Sequence, residues 1–147
     1  MHMKLSTIIR ELERLAPPDL QESYDNSGLI TGNAQMDITG ALICLDSIEA
    51  VLDEAIRKNC NLIVAHHPIV FSGLKKITGK NYIERVIIKA IKNDISIYAA
   101  HTNLDNVLQG VSGRMAEKIG LKDLKILQPK QNVLLKLITY VPRLHSY

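Results

Sequence analysis

Two adjacent histidines close the apolar run "LIVAHHP", residues 62–68, and a second stretch, "HTNLD", carries His101 and Asp105. Imidazole and carboxylate together suit zinc, iron, manganese and similar ions. A buried strand gains nothing from two imidazoles at its tip, and burying them without partners costs free energy. Successive side chains on a strand point to opposite faces. His66 and His67 are therefore expected to serve two ions rather than share one, and hydrolytic metal pairs sit roughly 3.5–4 Å apart. Pro68 blocks continuation of the strand. If "HTNLD" opens a helical turn, its spacing puts His101 and Asp105 on one side. Such carboxylates either hold metal or orient an imidazole from behind.

Other candidates are less defined. Asp46 ends the apolar run "GALICLD" and reads either as a capping or imidazole-orienting group or as a direct ligand. Asp25, Asn26 and Gly28 lie in "QESYDNSGLITGN", a stretch rich in turn formers and read as a loop. Tyr24, Tyr82 and Tyr98 are expected to pack. Cys44 and Cys60 lie in or beside apolar runs and read as packing residues, because no Cys-x-x-Cys spacing exists. Neither a Gly-x-Ser-x-Gly elbow, a Walker-type phosphate loop nor Gly-x-Gly-x-x-Gly occurs. Metal chemistry is what remains.

The elements that must position these groups alternate along the chain. A helix is expected over Ser6–Leu15, stopped by Pro17–Pro18. Strand 40–46 leads to helix 47–59, with Ser47 as its expected N-cap. Strand 61–68, helix 82–94 and strand 95–101 follow, then a helix through 110–120 and a final β-rich run, "NVLLKLITYVP", residues 132–142. Alternation of this kind predicts one α/β domain over 1–147, a largely parallel sheet flanked by helices. The near-continuous apolar strands predict cover on both faces. Ligands in open α/β sheets sit outside the carboxyl ends of the strands. Asp46, His66–His67 and His101 all fall at such ends.

Composition narrows the setting. Over 147 residues, 46% are apolar and 22% charged, as in ordinary globular domains. The formal charge of +3 is spread along the chain, with one Phe and no Trp, unlike the basic, aromatic-studded stripe of a nucleic-acid binder. Phosphate-bearing small molecules remain compatible with it. No apolar stretch reaches the roughly 20 residues of a membrane span, and a cytoplasmic protein is expected. His2, in the opening "MHM", is given no role.

The segments "YDNSGLITGN", "ALICLD", "NLIVAHHPIVF" and "AAHTNLDNVLQGVSGRMAEKIGL" resemble, in order and spacing, the NIF-three-like family, also described as GTP cyclohydrolase I type 2-like, dinuclear metal-centre proteins. The resemblance covers about residues 5–141. It implies a pair of divalent ions, a homo-oligomer (typically a toroidal hexamer) and GTP cyclohydrolase-type chemistry on a nucleotide-like substrate. By the same resemblance His66, His67 and Asp105 match metal ligands, and His101 a ligand or a group close behind one. Asp25, Asn26 and Gly28 match an early loop near the pocket. The family completes its site with His-x-x-x-Glu near the C-terminus. Here the only histidine after Asp105 is His145. The 147 residues are therefore expected to be the N-terminal part of a longer architecture, with metal reduced unless another chain supplies the missing ligands. A non-catalytic, metal-binding scaffold acting through protein contacts is the alternative reading.

Overall fold

The computed structural model describes residues 3–130, so the run 132–142 lies outside it. In chain order the elements are β1 (Met3–Lys4), α1 (Leu5–Leu15), a short 3-10 turn (Pro18–Leu20), β2 (Gly28–Thr31), β3 (Asp37–Ile38), β4 (Ala41–Asp46) and α2 (Glu49–Arg57). Then come β5 (Leu62–His67), α3 (Tyr82–Lys92), β6 (Ser96–Ala99), α4 (Thr102–Asp105) and α5 (Val111–Lys118). β1 and β3 form a small antiparallel pair. The main sheet has the order β2-β6-β5-β4, with β4, β5 and β6 parallel and β2 antiparallel to β6. It is a mixed α/β sheet flanked by helices.

β2 corrects the expectation of a continuous loop over 21–33. Its strand signal is only Leu29, Ile30 and Thr31 between glycines, too short for periodicity to report. Pairing with β6 supplies what local sequence does not. The chain leaves β2 through Gly32, whose φ of +120° suits glycine. A Cβ there would stand 2.0 Å from Ser96 Oγ.

Helix starts also differ from expectation at one point. Ile48, not Ser47, occupies the N-cap of α2, and Ser47 Oγ is buried without a hydrogen bond among the described residues. α3 is capped as its sequence allows. Asn81 Oδ1 accepts from the Glu84 N–H, and Asn81 Nδ2 donates back to Glu84 Oε1. Glu84 Oε2 further accepts from the N–H groups of Thr78 and Lys80 and from Thr78 Oγ1. These donors hold the Glu84 carboxyl at about 2. One side chain thus ties the 72–81 loop to its helix.

The core lies on both faces of the sheet. On one, Leu52 and Ala55 of α2 and Val86, Ile87 and Ala90 of α3 pack on Ile63, Ala65 and Ile97, with partly buried Cys44 and Cys60 at the margin. On the other, Leu5, Ile8, Ile9 and Leu12 of α1 pack on Leu62, Val64, Tyr98 and Ala100. α1 stops short of β4, so the expected cover on both faces fails there. Ile43 is 83% and Leu45 59% exposed. Tyr98 packs as expected at 1% exposure, whereas Tyr24 and Tyr82 do not, at 65% and 52%. No helix among the described residues is long and apolar enough to cross a membrane.

Candidate metal centre

Strand direction assembles the site. Because β4, β5 and β6 are parallel, their carboxyl ends share one rim, and the register sets Asp46 opposite His67. β2 runs the other way, so its start, Gly28, pairs with Ala99 near the same end. The loop just before it, with Asp25 and Asn26, is thereby delivered to His101. Gly28 enters the strand at φ +105°. Asn26 Nδ2 donates to the Val70 carbonyl at 2.6 Å, joining this loop to the segment after His67.

His66, His67 and His101 converge, with donor atoms within 4.8 Å of one another. Ring centroids are 4.9 Å apart for His66–His67, 5.3 Å for His66–His101 and 5.6 Å for His67–His101. Each Nδ1 faces an oxygen at 2.8 Å: Ala100 O for His66, Asp46 Oδ1 for His67 and Asp25 Oδ1 for His101. A carbonyl can only accept, so His66 Nδ1 carries the proton, and the two carboxylates favour the same arrangement. In the neutral rings all three Nε2 atoms are then left with free lone pairs, the state that metal ligation requires.

The convergence qualifies the expectation that His66 and His67 diverge. Their Nδ1 atoms do turn to different neighbours, one beyond β6 and the other on β4. The outer ends still meet His101, because His67 is the last strand residue and Pro68 ends the regular pleat. Two nitrogens on one zinc, at about 2.1 Å each, can be at most about 4.2 Å apart. A spread of up to 4.8 Å exceeds that limit, so a single ion would have to draw the rings closer together. Asp105 stands at the edge of the cluster, its Oδ1 3.7 Å from His66 Nε2. A lone pair facing a carboxylate is repulsive unless a proton or a metal ion lies between them, and the donor set fits either.

Asp25 is more than a turn former. Its side chain has no exposed surface. Besides His101, the Asn26 N–H donates to Oδ1 at 2.7 Å, and the Thr102 N–H and Oγ1 donate to Oδ2. Burial alone would raise its pKa, but these hydrogen bonds outweigh it and hold the carboxyl below its ordinary value. Asn103 completes the support, accepting from the His101 N–H at 2.9 Å and donating to the Ala16 carbonyl at 2.8 Å. Sequence reading missed both Thr102 and Asn103. Their only signal is adjacency to His101, and their partners lie far off in the chain. A cleft of about 630 Å³ beside α5, lined by residues such as Leu108, Arg114 and Leu121, gathers no comparable cluster.

Comparison with known proteins identifies the family and the fold. The Duf34/NIF3 (NGG1p interacting factor 3) family model matches residues 3–144. A Halalkalibacterium halodurans protein named GTP cyclohydrolase 1 type 2 homolog is 43% identical over 95% of this chain and 38% of its own. A Bacillus cereus protein related to NIF3 superposes with a TM-score of 0.82 at 40% identity, over 88% of this chain and 36% of that one. Reduced HcgD from Methanocaldococcus jannaschii gives 0.78 at 33% identity, over 85% and 50%. The chain thus spans half or less of the length of each. A matching family model over nearly all the chain, relatives near 40% identity and the shared fold together place this chain in the Duf34/NIF3 family.

Proposed function

We propose that this chain supplies the histidine side of a divalent-metal centre in a cytoplasmic, homo-oligomeric hydrolase acting on a nucleotide-like substrate. The observation that carries the reading is the convergence of three imidazoles whose Nδ1 atoms each face an oxygen, which leaves their Nε2 atoms for an ion. His66, His67 and His101 would hold metal through Nε2, and Asp105 through its carboxylate. Zinc, iron and manganese all suit this donor set, and two ions per complete site are consistent with its span. Bound metal would lower the pKa of a water and polarise the group under attack.

The chain's own residues do the positioning. Asp46 and the Ala100 carbonyl fix the tautomers of His67 and His66. Asp25, itself locked by Thr102, does the same for His101, so the three rings are aimed before any ion arrives. Further ligands would come from the rest of a longer chain or from another copy. The activity on GTP is suggested by the name its relatives carry, and a fold with a metal site does not by itself identify a substrate.

The test is turnover of GTP and simple phosphoesters by protein reconstituted with zinc, ferrous iron or manganese. Turnover that falls at least about 100-fold in His67→Ala, with the circular-dichroism spectrum unchanged, supports the hydrolase. Metal binding without turnover of any of them favours a metal-binding scaffold. The open β4 face, with Ile43 and Leu45 exposed, is the observation on the side of that second reading.

A further inference from the structure

Phe71 is the only phenylalanine in the sequence, yet it is 49% exposed, and Tyr24 beside it is 65% exposed. Their ring centroids are 6.4 Å apart at 45°. Phe71 also stands 6.3 Å from the His101 ring at 82°, so it forms a wall beside the histidine cluster. Large apolar side chains left in water need a reason when they sit together. Phe71 stands beside the histidine cluster, and Tyr24 stands beside Phe71.

The placement is built rather than incidental. Tyr24 directly precedes Asp25, which holds His101, and Phe71 follows His67 through Pro68, Ile69 and Val70. The two loops are fastened together by the Asn26 Nδ2–Val70 O hydrogen bond of 2.6 Å. Any change in the register of either loop would therefore move a ring and a site residue together. An aliphatic pair would suffice to shed water from the rim. An aromatic pair adds flat faces on which another π-system stacks.

We infer that Phe71 and Tyr24 form a stacking platform that binds the planar heteroaromatic ring of the substrate and holds it against the histidine cluster. The inference rests on reading that cluster as the reacting centre and adds the part of the substrate that is recognised. A ring stacked on Phe71 at about 3.5–4 Å would lie beside the histidine cluster, because Phe71 stands 6.3 Å from the His101 ring. The loop that carries Phe71 continues through exposed Lys75 and Lys76, which suits a phosphate attached to that ring.

The experiment compares GMP and AMP with ribose 5-phosphate, the same phosphosugar without the heteroaromatic base, by titration calorimetry on the zinc-loaded chain. Both nucleotides should bind about tenfold more tightly than ribose 5-phosphate, in line with base–aromatic stacking. Phe71→Leu should remove most of that preference, and Phe71→Tyr should keep it, with the fold and the metal content unchanged in both. Equal affinity for nucleotide and ribose 5-phosphate in the wild-type chain would overturn the platform. So would a ring preference that survives Phe71→Leu, or loss of these rings changing only the sedimentation behaviour, as expected if they dock against another polypeptide. Repeating the titration on metal-free protein separates the two readings, since stacking needs no ion. A ring preference without any zinc uptake would sink the metal centre and leave the platform standing.

Discussion

At the scale of single residues, the site is a set of imidazoles whose inner nitrogens are already spoken for. Asp46 is 56% exposed at its side chain and touches His67 from the solvent side. Asp46→Asn should therefore leave stability nearly unchanged while lowering metal affinity about 10–100-fold, the usual effect of removing a carboxylate behind a ligand. Competition with a chromophoric chelator would measure it. Asp25→Asn should behave differently. An amide keeps one acceptor for His101 but turns an NH2 toward the Thr102 donors, leaving a buried mismatch. Urea unfolding should show a loss of about 1–3 kcal/mol in addition to weaker metal binding. The histidines were legible from type and spacing at strand ends. Asp25 was placed near the pocket only through the family resemblance, and its role behind His101 was not legible, because the 76-residue separation is closed only by the antiparallel return of β2.

At the scale of elements, capping and turn geometry decide how firmly the rim is held. Glu84 titrates near 2 against an ordinary 4.5, because backbone N–H groups of Thr78 and Lys80 favour its charged form. A depressed carboxylate stabilises the fold fully above its unfolded value and ceases to do so as pH falls through its folded one. Thermal unfolding should therefore find Glu84→Gln less stable than wild type at pH 7, with the gap closing between about pH 4.5 and pH 2. A gap independent of pH would contradict this. Gly32→Ala should cost about 2–4 kcal/mol in urea unfolding, since its Cβ meets Ser96 and its φ is positive. The helices and the three parallel strands could be read from periodicity and caps. β2 could not, since it has too few residues to show a period. The α2 cap was misread because Ser47 turns inward and Ile48 takes the boundary position.

At the scale of the whole molecule, a two-faced core supports one rim where four strands meet. Leu52 is fully buried between α2 and the sheet, so Leu52→Ala should lower unfolding free energy by about 2–5 kcal/mol. The uncovered β4 face escaped sequence reading because "ALICLD" looks the same whether one face or both are packed. Sequence alternation records what a strand is made of, not how far a neighbouring helix extends. The rim itself unites the family membership, the strand directions and the three free Nε2 atoms. On the reading proposed above, these histidines bind metal. The most direct test is metal content per chain by plasma mass spectrometry, on untagged protein purified without chelator and reconstituted with zinc. At least about one ion per chain is expected if Nε2 ligation by the cluster holds, falling at least about tenfold in His101→Ala with the fold retained. A folded wild-type chain that takes up no zinc, or a His101→Ala chain that takes up as much as wild type, would contradict it.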